Sequence, residues 1–374
     1  MAFRAKAEEK EKKSSSPQSK TFFRIFRYTA VRIITLFITV IIAIYLTILI
    51  ANMGGYVDTM MKTEIEDRIT QQVAANPNYR QMSVETRKKL AQEMIDLEIK
   101  RLGLDQPLVV RTTKYLVNAV TLNLGRAQNM VSDTGSRNVK NILLERLPST
   151  ILLMGTSELL LFFASMFIAL GISRKYGSFW DKFIIAMTPT SSAPSWFYGV
   201  FLILIFAAVL KILPFGGLVA APPPKNAFLY ILSLLQHLLL PAASLFISGF
   251  FLNIYSWRTF FLIYSSEDYV EMAKAKGLTS KDIENRYILK PTMPNIVTNF
   301  ALTLISVWGG AIITETIFNW PGLGKMLYKA IGLYDIPVIV GDTIIYAYLL
   351  AITVLLLDFV YAMVDPRVKV GGVN

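Results

Sequence analysis

Side chains able to do covalent chemistry are scarce in this 374-residue sequence. It contains no cysteine and one histidine, His237. Thiolate catalysis, cysteine-based zinc or iron–sulfur sites, and metal sites built from several histidines are therefore excluded. A Ser/His/Asp triad finds little support when His237 is its single possible base, and we interpret that residue as a structural hydrogen-bonding group. The sequence predicts no catalytic residue, no cofactor and no bound metal, so we do not expect an enzyme.

The most informative spacing lies in residues 265–295. Ser266 is typical of a helix cap, acids follow it in the first turn, and lysines lie toward the other end, as the helix dipole favours. Gly277 is a natural helix terminator. Ala273 and Ala275 are small enough to let another surface approach closely. The acids and lysines in question are Glu267, Asp268, Glu271, Lys274 and Lys276.

Two interpretations of this segment are open from the residues alone. The first is an ordinary amphipathic loop helix at the lipid headgroups, and the residue types by themselves favour it. The second is a compact knob of two short helices, the second near residues 280–289, that lies against a partner protein. Either one needs apolar elements on both sides to hold it in place.

Those elements are apolar spans. Hydrophobic residues make up 53% of the chain and charged residues 17%, whereas soluble domains carry about 25% charged residues. Crossing about 30 Å of hydrocarbon takes roughly 20 apolar residues. Prolines 189 and 194 interrupt the third stretch and should kink it. The six stretches of suitable length run at about 33–51, 149–172, 183–210, 228–255, 296–318 and 343–364. We predict an all-α, polytopic membrane protein with about six transmembrane helices.

The charge distribution predicts the orientation. The chain has 38 Lys and Arg against 26 acids, a net charge of +12. Residues 1–32 hold nine Lys and Arg against three acids. Basic loops remain in the cytoplasm, so this tail, residues 256–295 and the tail 365–374 are predicted to be cytoplasmic in a multi-pass protein of the plasma or inner membrane. The basic excess is assigned to the membrane surface and not to nucleic acid.

Residues 52–148 are too long for a simple connector. Ser83 precedes apolar residues at helical spacing, and Gly103 is a plausible end of that helix. The apolar positions are Leu90, Met94, Leu97, Ile95, Ile99 and Leu102. We expect a small, mostly helical external subdomain. Shielding the entrance of a pathway and docking a soluble delivery protein are equally open as its role.

The string Glu271-Met272-Ala273, followed by Gly277, indicates a family resemblance. This string resembles the E-A-A-x-x-x-G motif of ABC importer permeases, although Met272 replaces the usual Ala or Thr and Pro291 is displaced by one position. Further strings are similar to the oligopeptide/dipeptide branch of that family and occur in its order. They are LGLDQPL at 102–108, ERLPST at 145–150, PGLG at 321–324 and DPR at 365–367.

The resemblance implies one permease half of a binding-protein-dependent importer, with residues 149–364 as its core. It implies a second homologous permease subunit, two cytoplasmic ABC ATPase subunits, an external substrate-binding protein and a peptide substrate. Residues 265–295, here named the coupling segment, would contact an ATPase. The coupling residues would be Asp268, Glu271, Ala273, Lys274, Ala275 and Gly277. ATP hydrolysis is expected on the partners, because Gly324-Lys325 lacks the rest of a phosphate-binding loop.

Polar residues within the apolar stretches are the candidates for a translocation pathway. An acid inside a membrane is costly and usually faces the protein interior or water, and broken helices expose backbone polar groups toward cavities. Helix packing is the alternative role of each. The candidates are Glu158, Ser191, Ser192, Ser195, Trp196 and Glu315.

Three other functions compete with peptide import. They are a permease for another small solute such as a nickel complex, a secondary transporter, and a membrane-anchored sensor or scaffold subunit. A secondary transporter would need inverted repeats, and we find no convincing repeat between the halves of the sequence. A sensor would leave the 266–277 motif unexplained.

Overall fold

A computed structural model describes residues 17–53, 55–79 and 82–364. Their regular secondary structure is helical and contains no strand, which confirms the all-α prediction. Short 3₁₀ and π segments join several helices. The helices are α1 (Pro17–Met53), α2 (Tyr56–Ala75), α3 (Val84–Leu102), α4 (Leu108–Val120), α5 (Val139–Ser173), α6 (Phe179–Met187), α7 (Ser195–Leu202), α8 (Ala227–Ser265), α9 (Asp268–Ala275), α10 (Ser280–Asp282), α11 (Lys290–Ser306), α12 (Ile312–Ile317), α13 (Leu323–Gly332) and α14 (Ile336–Val364).

Both predicted tails fall partly or wholly outside the described residues. The DPR string and the tail 365–374 lie beyond them, as do residues 1–16. The rest of the predicted amino-terminal tail is not a separate element, because α1 begins at Pro17 and runs through the first apolar stretch without a break.

Four helices of the described residues are long and apolar enough to cross a membrane. They lie in α1, α5, α8 and α14. A fifth span is obtained if residues 179–192 and 195–209, which meet at 94°, form one broken span. That bend falls at Pro194, one of the two predicted kink positions, and the other, Pro189, lies in the 3₁₀ segment before it. The polytopic membrane fold is confirmed, with four or five candidate spans against the six predicted.

The difference in number arises at the fifth predicted stretch, 296–318. Helix α11 ends at Ser306, a 3₁₀ turn covers Val307–Gly309, and Gly310 takes a φ of +64° before α12 begins. Such a φ is available to glycine at little cost. The chain therefore changes direction at Gly310, and no single helix covers the predicted stretch.

Among the described residues, the first compact unit comprises 17–38, 146–328 and 348–364. Its largest buried cluster gathers side chains from α5, α6, α8, α9, the π segment after α10, and α11. The buried members are Phe162, Met166, Ala169, Leu170, Ile184, Ile254, Trp257, Phe261, Val270, Ala273, Ile283, Ile288 and Ile296. The coupling segment is thus part of this core.

The second unit, 39–145 and 329–347, contains a hairpin of α2 and α3. Ser83 caps α3 by accepting a hydrogen bond from the Thr86 amide at 3.2 Å, and Gly103 ends it with a φ of +72°. The predicted helix is therefore confirmed in both bounds. Its apolar face is shifted, since Ile95 is buried while Leu97 is 68% exposed.

A carboxylate organises the remaining loop of the second unit. Asp335 is fully buried and accepts hydrogen bonds from the backbone amides of Gln128, Asn129 and Met130 at 3.1, 2.8 and 2.9 Å. Several amides converging on one carboxylate satisfy a negative charge without a cation. The loop before α5 is fixed in this way.

Candidate functional site

Helix α9 is the short helix expected in the coupling segment, but it begins two residues later than Ser266. Ser266 ends the preceding helix α8, and its hydroxyl donates to the Ile263 carbonyl at 2.9 Å. The cap residue of α9 is Glu267, whose side chain makes no capping hydrogen bond. The predicted Ser266 cap is therefore wrong, because α8 continues to Ser265 and uses that hydroxyl itself.

The end of α9 is as predicted. Gly277 has a φ of +74°, and its amide donates to the Lys274 carbonyl at 2.9 Å. The next amide, that of Leu278, reaches back to the Ala273 carbonyl at 3.3 Å. Nothing lies within 4 Å of where a Cβ of residue 277 would be. Glycine is favoured here by the left-handed backbone and not by lack of space.

The two faces of α9 differ sharply. Val270 and Ala273 are buried in the chain's own core, at 0% and 2% exposure. Asp268, Glu271, Lys274, Ala275 and Gly277 are all exposed. Of the predicted coupling residues, Ala273 therefore packs inward. Met272, at 59% exposure, lies on the outward face instead.

Two opposite charges on the outward face form an exposed ion pair. The Lys274 ammonium donates to Glu271 at 2.7 Å, and both side chains are more than half exposed. A pair of this kind adds little stability, roughly 0–1 kcal/mol. Partial burial raises the pKa of the nearby Tyr269 phenol above its ordinary value. The outward face is thus a mixed polar and apolar surface.

Two ion pairs within the first unit were not foreseen from the sequence. Arg174, after the end of α5, contacts Glu284 of the π segment at 2.5 Å. Arg258 of α8 forms a two-pronged pair with Asp181 of α6, one contact being from Nη2 to Oδ2 at 2.8 Å. Pairings between residues so far apart in the chain leave no local pattern in the sequence.

A second site surrounds Glu315, and we name residues 315–325 the Glu315 turn. The Glu315 side chain is fully buried. It accepts a hydrogen bond from the Thr150 hydroxyl at 3.0 Å and one from the Lys325 amide at 2.9 Å. Thr150 also accepts from the Leu323 amide at 2.7 Å. Glu315 and Thr150 thus satisfy the first amides of α13, which would otherwise lack partners.

Glycines make room for the Glu315 carboxylate. A Cβ on Gly322 would lie 2.5 Å from Glu315 Cδ, and one on Gly324 would lie 2.9 Å from the Ile312 backbone. Both distances are below van der Waals contact. The glycines of the PGLG string are therefore required by packing against the carboxylate and against α12.

Aromatic residues anchor the same turn. Trp320 is fully buried, and its indole N–H donates to the Ser149 carbonyl at 2.9 Å. Phe318 is 1% exposed, and its carbonyl accepts from the Gly217 amide at 2.8 Å. The Glu315 turn is consequently tied to the start of the apolar part of α5 and to the loop before α8.

The serine candidates lie at the 94° bend between α6 and α7. The Ser195 hydroxyl is 2.9 Å from the Thr314 hydroxyl, and Ser191 accepts from the Leu252 amide at 3.3 Å. Both serines therefore have partners within the chain. Ser192 and Trp196 are exposed, Trp196 at 39%.

Glu158 differs from the other candidates. It lies within the apolar part of α5 and is half-buried. No hydrogen bond or ion pair to it is found among the residues that the structure describes. His237, in contrast, donates from Nδ1 to the Ser233 carbonyl at 2.7 Å, which is the structural role expected of it.

Comparison with known proteins places this geometry in a family context. Residues 150–370 match the family described as binding-protein-dependent transport system inner membrane component. A putative peptide permease protein of Brucella suis is 32% identical over 75% of this chain and 86% of its own length. The oligopeptide transport system permease protein AppB of Bacillus subtilis is 32% identical over 75% of this chain and 87% of its own length. The di/tripeptide transport system permease protein DppB of Pseudomonas aeruginosa is 30% identical, with coverages of 72% and 84%.

Proposed function

The chain belongs to the family of inner membrane components of binding-protein-dependent transport systems, and from this premise we propose that it imports peptides as a permease subunit of an ATP-driven importer. The peptide specificity rests on the functions of the relatives, which include oligopeptide and di/tripeptide transport. The chain carries half of the pathway, and a second homologous permease carries the other half.

The energy comes from two ABC ATPase subunits in the cytoplasm, and an external binding protein delivers the peptide. Both termini and the coupling segment face the cytoplasm in this proposal, as the distribution of Lys and Arg favours. The second unit, with its α2–α3 hairpin, then faces the binding protein. ATP binding and hydrolysis alternately close and open the ATPase pair, and the membrane helices alternate between two states of access.

The observation that carries the proposal is the two-faced helix α9. Its outward face presents Met272 and the Glu271–Lys274 pair, while Val270 and Ala273 join it to the core of the first unit. A helix that transmits force needs this combination, because a push on an exposed face reaches the spans only through packed contacts.

We propose Glu158, Ser192 and Trp196 as side chains that line the pathway. Glu158 is half-buried within α5, Trp196 is exposed on α7, and Ser192 is exposed in the 3₁₀ segment before the bend. A carboxylate such as that of Glu158 attracts the ammonium at the amino end of a peptide. Glu315, Ser191 and Ser195 hold the surrounding elements in place through the hydrogen bonds described above.

Reconstitution tests the proposal. The chain is purified with the proteins that accompany it, placed in proteoliposomes, and supplied with ATP, the binding protein and labelled di-, tri- or pentapeptides. ATP-dependent accumulation of at least one peptide is expected, with none when ADP replaces ATP. A nickel complex serves as the competing solute.

The outcomes separate the competing functions. If ATPases copurify and the complex takes up the nickel complex but no peptide, the peptide assignment is wrong and the assignment as a permease subunit stands. Copurification of neither an ATPase nor a second permease would favour the sensor or scaffold function. Uptake by the isolated chain, driven by an ion gradient, would favour a secondary transporter.

A further inference from the structure

The buried pair of Asp181 and Arg258 is not explained by the proposed transport cycle. The two side chains are 2% and 8% exposed, and they meet through two nitrogen–oxygen contacts. Asp181 Oδ2 also accepts from the Gly177 amide at 2.8 Å. The Arg258 guanidinium lies 5.4 Å from the centre of the Tyr176 ring. Both charges are therefore fully engaged.

Stability alone is a weak reason for such a pair. Removing two charges from water is costly, and apolar replacements of similar volume are often neutral or stabilising. Hydrophobic contacts, however, have no preferred direction. A planar guanidinium facing a carboxylate fixes both distance and orientation. The pair consequently sets how α6 is aligned with α8.

Its position connects two functional elements. Arg258 lies seven residues before the end of α8, and α9 begins three residues after that end. Its neighbours Trp257 and Phe261 share the buried cluster with the inward face of α9. Asp181 lies in the first turn of α6, and α6 leads into the bend that carries Ser192 and Trp196.

We propose that Asp181 and Arg258 are positioning residues that make α6 move with α8, so that displacement of α9 reaches the bent span of the pathway. The proposal rests on the proposed function. Arg174–Glu284 cannot take this role alone, since Arg174 is 45% exposed and exposed pairs are weak.

The test uses the complete reconstituted complex and measures peptide taken up per ATP hydrolysed, beside basal ATPase activity and thermal stability. The decisive variant combines Asp181→Leu with Arg258→Met, which removes both charges and keeps an apolar contact. We expect normal assembly, normal basal ATPase activity and about a tenfold fall in peptide per ATP, within the range of measured coupling effects. Wild-type coupling in this variant would overturn the proposal.

A conservative variant covers the case in which the double variant fails to assemble. Arg258→Lys keeps the charge and loses the two-pronged geometry. An assembled Arg258→Lys complex with reduced peptide per ATP supports the proposal, and one with wild-type coupling contradicts it. The matched control is Thr259→Val, beside Arg258 on α8, which removes an exposed hydroxyl that donates to the Tyr255 carbonyl of the same helix and should change neither quantity. Absence of uptake by the wild-type complex would instead contradict the proposed function.

Discussion

The coupling segment and the Glu315 turn are held together by different means. In the coupling segment, a cluster of apolar side chains from several helices holds α9, whose other face is exposed. In the Glu315 turn, one buried carboxylate and Thr150 accept hydrogen bonds from the backbone, and Phe318 and Trp320 are enclosed. The first region leaves one face of a helix exposed, whereas the carboxylate and the aromatic rings of the second are enclosed.

The glycines of the two regions are required for different reasons. Gly322 is required because a Cβ would collide with Glu315. Gly277 has open space around it and is required because its φ is positive. A substitution in the closed turn should therefore damage the fold. A substitution in the coupling segment should mainly change how the segment is shaped toward its partner.

The largest effect is expected for Gly322→Ala. The added methyl group displaces the Glu315 carboxylate from its amide partners, and overpacking with lost buried hydrogen bonds costs about 2–4 kcal/mol. Thermal unfolding of the purified protein in detergent measures the loss. Gly155→Ala is the control, since nothing lies within 4 Å of that Cβ. Equal melting temperatures for both variants would refute the closed-turn account.

Thr150→Val should have the next largest effect on stability. Valine keeps the shape of threonine but removes the hydroxyl that donates to Glu315 and accepts from the Leu323 amide. Leaving those groups unsatisfied should cost about 1–3 kcal/mol. The same detergent melt tests it, with Thr298→Val as the control, because the Thr298 hydroxyl is exposed and bonds only within its own helix. A smaller loss at residue 150 than at residue 298 would be inconsistent with the Glu315 contacts.

Gly277→Val should lower the stability of the protein less than the two preceding substitutions do, and it should impair transport more. Forcing a β-branched residue into a left-handed backbone costs about 1–2 kcal/mol, and the chain after α9 must change its path. We expect ATP hydrolysis to continue while peptide uptake falls in the reconstituted complex. Gly171→Val, within α5 and with open space around its Cβ, is the control. Unchanged uptake in Gly277→Val would count against a lever role for the coupling segment.

The smallest effect is expected for Glu271→Gln. The Glu271–Lys274 pair is exposed, so its loss should change stability by less than about 1 kcal/mol. The salt dependence of ATPase binding should change instead, because the charge lies on the proposed contact face. Titration of the ATPase onto the reconstituted chain at two salt concentrations checks this. A large drop in melting temperature would mean that the pair is structural.

Local patterns in the sequence predicted much of this molecule. The apolar stretches, the end of α9 at Gly277, and both bounds of α3 follow from residue types near each position. The local pattern gave a wrong prediction at Ser266, because α8 extends to Ser265 and the Ser266 hydroxyl donates to a carbonyl of that helix. It also gave a wrong prediction at Gly310, because the positive φ of this residue interrupts the fifth predicted span.

Contacts between distant residues account for the rest. Glu315 was considered for the pathway, yet its partner Thr150 lies 165 residues away and no sequence pattern links the two. Asp181 and Arg258 are 77 residues apart. Ala273 was expected at a partner surface because it is small, but its burial depends on the side chains of several other helices.

Contact between α9 and an ATPase is the central claim, and the absence of cysteine from the chain allows a direct measurement. Met272→Cys places a thiol on the outward face, and Ala273→Cys places one in the buried face. We predict that a short thiol cross-linker joins residue 272 to a copurified ATPase in membranes and leaves residue 273 unlinked. The extent of cross-linking at residue 272 should change with the bound nucleotide. Labelling of Met272→Cys in intact cells by a membrane-impermeant thiol reagent would place α9 on the opposite side and contradict the account.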